Sequence, residues 1–382
     1  MGDGFARRGS SQLGSVILAT VATLRRNVGA EKFLVATDAA RREGLIKRLA
    51  SDLHSAFEES GIPATKVETV SDHGQLVLCS AAQSWGMAPD FPLPPEESVG
   101  IVVEGTDETP AKGDSIPEAM AGTCGIEDHF QLKCLAPGLD PEGAWGRLNR
   151  LDTALGDRVG YAFRRDIGYL TANPVLAGCA LEFCAYVMPI GLEIVNAAEE
   201  TMRALRRMGC VFDQSGAVPA NFAGLCRISM DCGGSRSEEQ CAAAFRRAME
   251  ELEERELDAR AEIISNDDKT FLIDAFSRDL AILKSAYAIT SDEAVAELWT
   301  VRTGIEMGYV KGVELSAVES AIGMMRSPAF TLAFEKNHRQ ALETIIDLFS
   351  EDDDSRYDAE DYLDSVRADY LRWLLRKAKI VE

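Results

Sequence analysis

Residues 126–182 hold the side chains whose types and spacing could do chemistry. They run Glu127-Asp128-His129, then Gly168-Tyr169-Leu170-Thr171-Ala172-Asn173-Pro174, then Gly178-Cys179-Ala180-Leu181-Glu182. Carboxylates in such company take up protons or hold cations. Lys133, Arg164, Arg165 and Arg227 are the cations near enough in sequence to face an anion. Metal chemistry finds little support. The nine cysteines are scattered without a Cys-X-X-Cys pair, and the four histidines lack zinc-finger spacing. Cys179 and Cys184 could each offer a thiolate, but both sit in apolar runs, where cysteine behaves as a small core residue.

Such groups need a frame. Residues 16–24 are apolar and threonine-rich and predict a strand leading into Arg25-Arg26-Asn27. Leu45, Leu49, Leu53 and Phe57 give residues 38–60 a helical face. Short strands are expected at 76–79 and 99–103, with a proline loop at 89–95 and a polar, flexible stretch at 106–115. Residues 130–135 alternate like a strand, a turn follows at 137–141, and 144–158 read as a helix. The apolar run 173–195 is broken by Pro174, Glu182, Pro189 and Glu193, so it predicts a buried helix and no membrane span. A helix is expected over 192–208, stopped by Gly209, and a strand over 227–231. Ser237 opens a long helix through 264. Everything from 263 onward reads as helical, with segments at 272–286, 291–303, 316–325 and 334–349. An acidic hinge at 351–354 then precedes an amphipathic helix at 359–378, with Leu363, Val366, Tyr370, Trp373 and Leu374 on one side.

Composition narrows the class. A net charge of −22, from 62 acidic against 40 basic residues, disfavours nucleic acid, anionic membrane and polyphosphate ligands lacking a basic pocket. The polar N-terminus has no signal-peptide core, and the cysteine usage fits a reducing cytoplasm.

The quoted motifs resemble those of the phosphagen kinases (ATP:guanidino phosphotransferases), whose pattern is Glu-Glu-Asp-His, Gly-Tyr-Leu-Thr-X-Cys-Pro and Gly-Thr-Gly-Leu/Met-Arg. The run Cys134-Leu135-Ala136-Pro137-Gly138 and the segment Val301-Arg302-Thr303-Gly304-Ile305-Glu306-Met307-Gly308-Tyr309 are similar to the protein-arginine kinase (McsB-type) branch. The resemblance implies an α+β fold over 1–260, a mostly antiparallel sheet flanked by helices. An all-α C-terminal domain over 265–350 and an added hinge and helix over 351–382 would follow. It also implies transfer of phosphate from magnesium-ATP to guanidino groups of arginine, with Glu127 as the base beside Asp128 and His129.

The residues depart from that chemistry. The resemblance places phosphate-binding arginines at five positions, here Val21, Thr23, Gln131, Glu182 and Asp213 (the last in a loop whose alignment slips by a residue). Asn173 replaces the family cysteine. Lys336, Asn337 and Arg339 are the remnant of a phosphoarginine-reading pocket. At about 1.5–3 kcal/mol per charge-assisted hydrogen bond, five lost contacts amount to roughly 8–15 kcal/mol. Micromolar binding is worth only about 8 kcal/mol. The reading that follows is a pseudokinase without cofactor, working through protein partners: a paralogue, an arginine-containing segment or a second copy. The alternatives are an active kinase with a reorganised site, and a cleft turned toward cations by Glu127, Glu182 and Asp213.

Overall fold

A computed structural model describes residues 15–62, 64–67, 101–105, 118–125, 127–213, 226–233, 236–265, 269–325 and 359–381. The expectations for 76–79, 89–95, 106–115, 334–349 and 351–354, and the residues Lys336, Asn337 and Arg339, lie outside them.

Ten strands make one antiparallel sheet: β1 (Ile17–Arg26), β2 (Ala64–Val67), β3 (Ile101–Gly105), β4 (Ala119–Cys124), β5 (Phe130–Pro137), β6 (Phe163–Arg164), β7 (Gly168–Tyr169), β8 (Gly178–Val187), β9 (Val211–Asp213) and β10 (Cys226–Gly233). Their order is β2-β3-β4-β5-β1-β8-β10-β9, and the β6–β7 hairpin attaches to the start of β8. Gly168 allows that attachment: at φ 103° a side-chain carbon there would meet the Gly178 carbonyl oxygen at 2.6 Å.

β8 corrects the helix expected over 173–195. Every residue of the strand is buried, because it lies between β1 and β10 with both faces covered. A strand buried on both sides loses the polar alternation that would reveal it. The alternation survives in the packing. Leu181, Phe183 and Ala185 enter one apolar cluster, and Cys184 and Tyr186 enter another.

The first cluster is closed by α1 (Ala39–Glu59), α2 (Pro141–Val159) and α5 (Glu238–Ser265). Leu49 and Leu53, Leu148 and Leu155, and Phe245 and Met249 pack from these helices onto Ala22, Leu24, Leu132 and Phe183. Each fully buried leucine or phenylalanine contributes about 1.5–3 kcal/mol. α2 starts where Asp140 accepts from Gly143 N at 3.0 Å, with Pro141 in its first turn. α5 starts with a reciprocal cap, Ser237 Oγ accepting from Gln240 N and Gln240 Oε1 accepting from Ser237 N. The single helix expected over 192–208 is two, α3 (Ile190–Ile194) and α4 (Ala198–Arg207), interrupted where Asn196 takes φ 58°.

Beyond α5 come α6 (Thr270–Ser285), α7 (Ser291–Glu306), α8 (Leu315–Met325) and α9 (Ala359–Leu374). This part is not wholly helical as expected: β11 (Val310–Lys311) pairs with β12 (Lys379–Ile380), so the strand that follows α9 folds back beside α6. The second apolar cluster joins Val21, Leu135 and Tyr186 of the sheet to Phe276, Trp299 and Leu371 of these helices. In α9 and the turn after it the residues facing the core are Ala368, Leu371 and Leu375, with Leu363, Val366, Tyr370 and Leu374 flanking them; Trp373 is 59% exposed and leaves the expected stripe.

One acid pair here sets a pH dependence. Burial, then a hydrogen bond shared with Asp279, pushes Glu297 of α7 up to about 8. A raised carboxyl stabilises the fold fully below its ordinary value, and that contribution is lost as pH climbs through the folded value. The slope is about 1.4 kcal/mol per pH unit while only the native state holds the proton. Urea midpoints should therefore fall between pH 5 and 8.5, and Glu297→Gln should flatten that fall. An unchanged profile in the variant would refute the assignment.

Candidate functional site

Strand register puts most of the sequence-predicted positions on one face of the sheet. Lys133 pairs with Thr23, Thr23 with Glu182, and Glu182 with Asp231, one row across four strands. Gln131 pairs with Arg25 one step above, and Val21 with Leu135 and Cys184 one step below. Val21, Thr23, Gln131 and Glu182 are all buried. Val21 is part of the apolar cluster shared with the C-terminal helices. Asp213 pairs its backbone with Arg227 on the β9 edge, further along β10 from the Glu182 row.

Glu182 is 7% exposed, and both of its oxygens are occupied. Oε2 accepts from Arg25 Nη2 and Oε1 from Arg227 Nη2, each at 2.8 Å. Burial alone raises this carboxyl; the Arg25 and Arg227 charges and the nearby Lys133 outweigh burial and hold it below its ordinary value. A cation-attracting role for Glu182 is thereby corrected, since the chain's own arginines already satisfy it.

The Glu127-Asp128-His129 triplet divides. Glu127 is exposed, while Asp128 and His129 are buried braces. Asp128 Oδ1 accepts from Asn27 Nδ2 at 2.5 Å and from Ala172 N at 2.6 Å. Asn27 Oδ1 accepts from His129 N, and His129 Nδ1 accepts from Val28 N at 3.1 Å. Burial raises Asp128 and lowers His129, so the imidazole stays neutral, as an acceptor at Nδ1 requires. These bonds tie the end of β1 to the 170–173 loop.

Asn173 is exposed and caps the short turn Pro174–Leu176, its Oδ1 accepting from Val175 N at 3.1 Å. Cys179 and Cys184 lie on β8, not along a helix, and are buried; a hydrogen bond with Cys241 and then burial push the Cys179 thiol far up, away from the thiolate. Ala180 holds φ 54° at the place of the motif's second glycine, a left-handed backbone that its side chain strains. Of the other cations, Arg164 pairs with Asp166 on the exposed β6–β7 hairpin, where Arg165 also lies.

Arg25 and Arg26 were passed over by sequence reasoning. Arg26 is fully buried, donates to both oxygens of Asp152, and stacks over the Tyr169 ring at 3.6 Å. Tyr161 Oη donates to the Asp152 carbonyl at 3.0 Å. The only sequence signal was two arginines closing an apolar strand, and their partners lie more than a hundred residues away. Among the described residues no group of three or more histidines, cysteines or acids is placed to hold a metal, and no helix is long and apolar enough to cross a membrane.

Comparison with known proteins agrees with this frame. Residues 117–273 match the ATP:guanido phosphotransferase C-terminal catalytic domain, and 269–343 match the protein-arginine kinase McsB C-terminal domain. The protein-arginine kinase of Halothermothrix orenii is 28% identical over 52% of this chain and 57% of its own length. That of Bacillus cereus (strain B4264) is 29% identical over 49% and 53%. The chain thus spans about half the length of the curated relatives it matches. Among solved structures, lombricine kinase aligns with a TM-score of 0.47 at 12% identity, covering 65% of this chain and 68% of that one. The duplicated taurocyamine kinase of Schistosoma mansoni with transition-state analogue components aligns at 0.49 and 14%, covering 74% and 39%. The chain belongs to the phosphagen kinase family, in its McsB-type, protein-arginine kinase branch.

Proposed function

We propose that this chain is a non-catalytic member of its family, a pseudokinase that acts through protein partners. One observation carries the reading. The four described arginine places whose side chains can be followed hold Val21, Thr23, Gln131 and Glu182, all buried and none a cation. A triphosphate needs fixed forks of positive charge around it. In the family's pose it would meet an apolar side chain, two neutral polar ones and a carboxylate. The residues present do not fit magnesium-ATP there. The partner would be a protein: a paralogue, an arginine-containing segment, or a second copy.

A second reading, an active guanidino phosphotransferase with a reorganised site, draws on Glu127 being exposed and on Arg25, Lys133 and Arg227 sharing the site face. Incubation with ATP and an arginine-rich protein, followed by detection of acid-labile phosphate, separates the two. The non-catalytic reading predicts no signal above a protein-free control. A signal that Glu127→Gln removes would establish the second.

A further inference from the structure

Glu182 is held as a bound anion is held. Arg25 reaches it from β1 on one side of β8 and Arg227 from β10 on the other, one guanidinium to each carboxylate oxygen at 2.8 Å. Lys133 lies in the same row and is buried. Burying a carboxylate costs several kcal/mol unless its charge is matched, and here two arginines with a lysine behind them match it. Two forks converging on one oxyanion is the arrangement by which proteins capture phosphates and carboxylates from solution. The donors are not exhausted: Arg25 is 8% exposed, and its Nη1 is buried with no hydrogen-bond partner among the described residues. Asp231, the row's other acid, is exposed and feels the same cluster: burial and then the Glu182 charge raise its carboxyl, and Arg25 and Arg227 oppose that shift. Neither arginine occupies one of the five places where the family resemblance puts phosphate arginines.

We propose that Arg25 and Arg227 form an oxyanion site that the chain fills from within by Glu182, so that a phosphate-class oxyanion enters only when that carboxylate is withdrawn. The internal anion keeps the charged face assembled with no ligand present. This goes beyond the non-catalytic reading and is tested separately from it.

The test measures binding of inorganic phosphate to the full chain by calorimetry and thermal shift, with sodium chloride at equal ionic strength as the reference. Glu182→Gln should bind phosphate at least about tenfold tighter than the parent and melt higher in its presence. Glu182→Asp, one methylene shorter, should fall between the two. Adding Arg25→Gln to Glu182→Gln should abolish the gain, which separates the site from general stabilisation by phosphate. Should Glu182→Gln fold only in phosphate, that recovery also supports the site. Equal binding by parent and Glu182→Gln would overturn the proposal, as would persistence of the gain without Arg25. It would also be overturned by Glu182→Gln failing to fold in either salt while Glu182→Asp binds no phosphate. None of these outcomes bears on magnesium-ATP, so the non-catalytic reading would survive them.

Discussion

Glu256→Ala should lower folding stability by about 3–5 kcal/mol, the cost of removing one partner from a buried ion pair. Glu256 is fully buried on α5. Its oxygens accept from Gly191 N at 2.7 Å and Leu192 N at 2.8 Å, where α3 begins just after β8. Arg260, one helical turn on, donates to the same carboxylate at 2.6 Å and to the Met188 carbonyl at 2.7 Å. Burial raises this carboxyl, and the arginine and the two backbone amides oppose that shift. Alanine would strand a buried guanidinium and two amides together. Against a typical total of about 5–15 kcal/mol, much of the stability would be gone. Urea unfolding provides the measurement. Glu142→Ala, which breaks the partly exposed pair with Arg246, is the comparison and should cost under about 1 kcal/mol. Similar losses in both variants would contradict the account.

Arg26→Leu should have an effect of similar size. It leaves Asp152 buried without its partner and removes the cation from above Tyr169, about 3–5 kcal/mol for the first and up to about 2 for the second. Arg26→Lys should recover less than half, because an ammonium cannot span both Asp152 oxygens and donate to the Cys179 carbonyl as well. The sharper check is a double variant. Arg26→Leu with Asp152→Leu removes both charges and should be more stable than Arg26→Leu alone. A double variant less stable than either single would show that the pair is not the source of the loss.

The frame of the site was legible in sequence because its signals are local. Ser237 marks a helix start by its own chemistry, and residues 16–24 read as a strand from composition; the helix read from 144 starts at Pro141, inside the stretch read as a turn. The motif residues 127–129 and 168–174 carried the family, and the structure joins 128, 129 and 170 by hydrogen bonds to Asn27 and 172 by one to Asp128. What escaped was long-range. β8 hid its strand nature because both faces are buried. The Arg25–Glu182–Arg227 cluster depends on the register of three strands, which no single segment encodes. Glu182 therefore read as an unpaired acid facing the cleft, when it is the most thoroughly paired carboxylate on that face. Trp373 misled for a related reason: helical spacing puts it beside the apolar stripe, but only packing against α6 decides which edge of the stripe is covered.

Titration of the full chain with magnesium-ATP in a calorimeter tests the central claim most directly. With no fixed cation at the family's described arginine places and Glu182 engaged by Arg25 and Arg227, no heat above dilution is predicted, and nucleotide should leave the melting temperature unchanged. Saturable binding in the micromolar range would contradict the account.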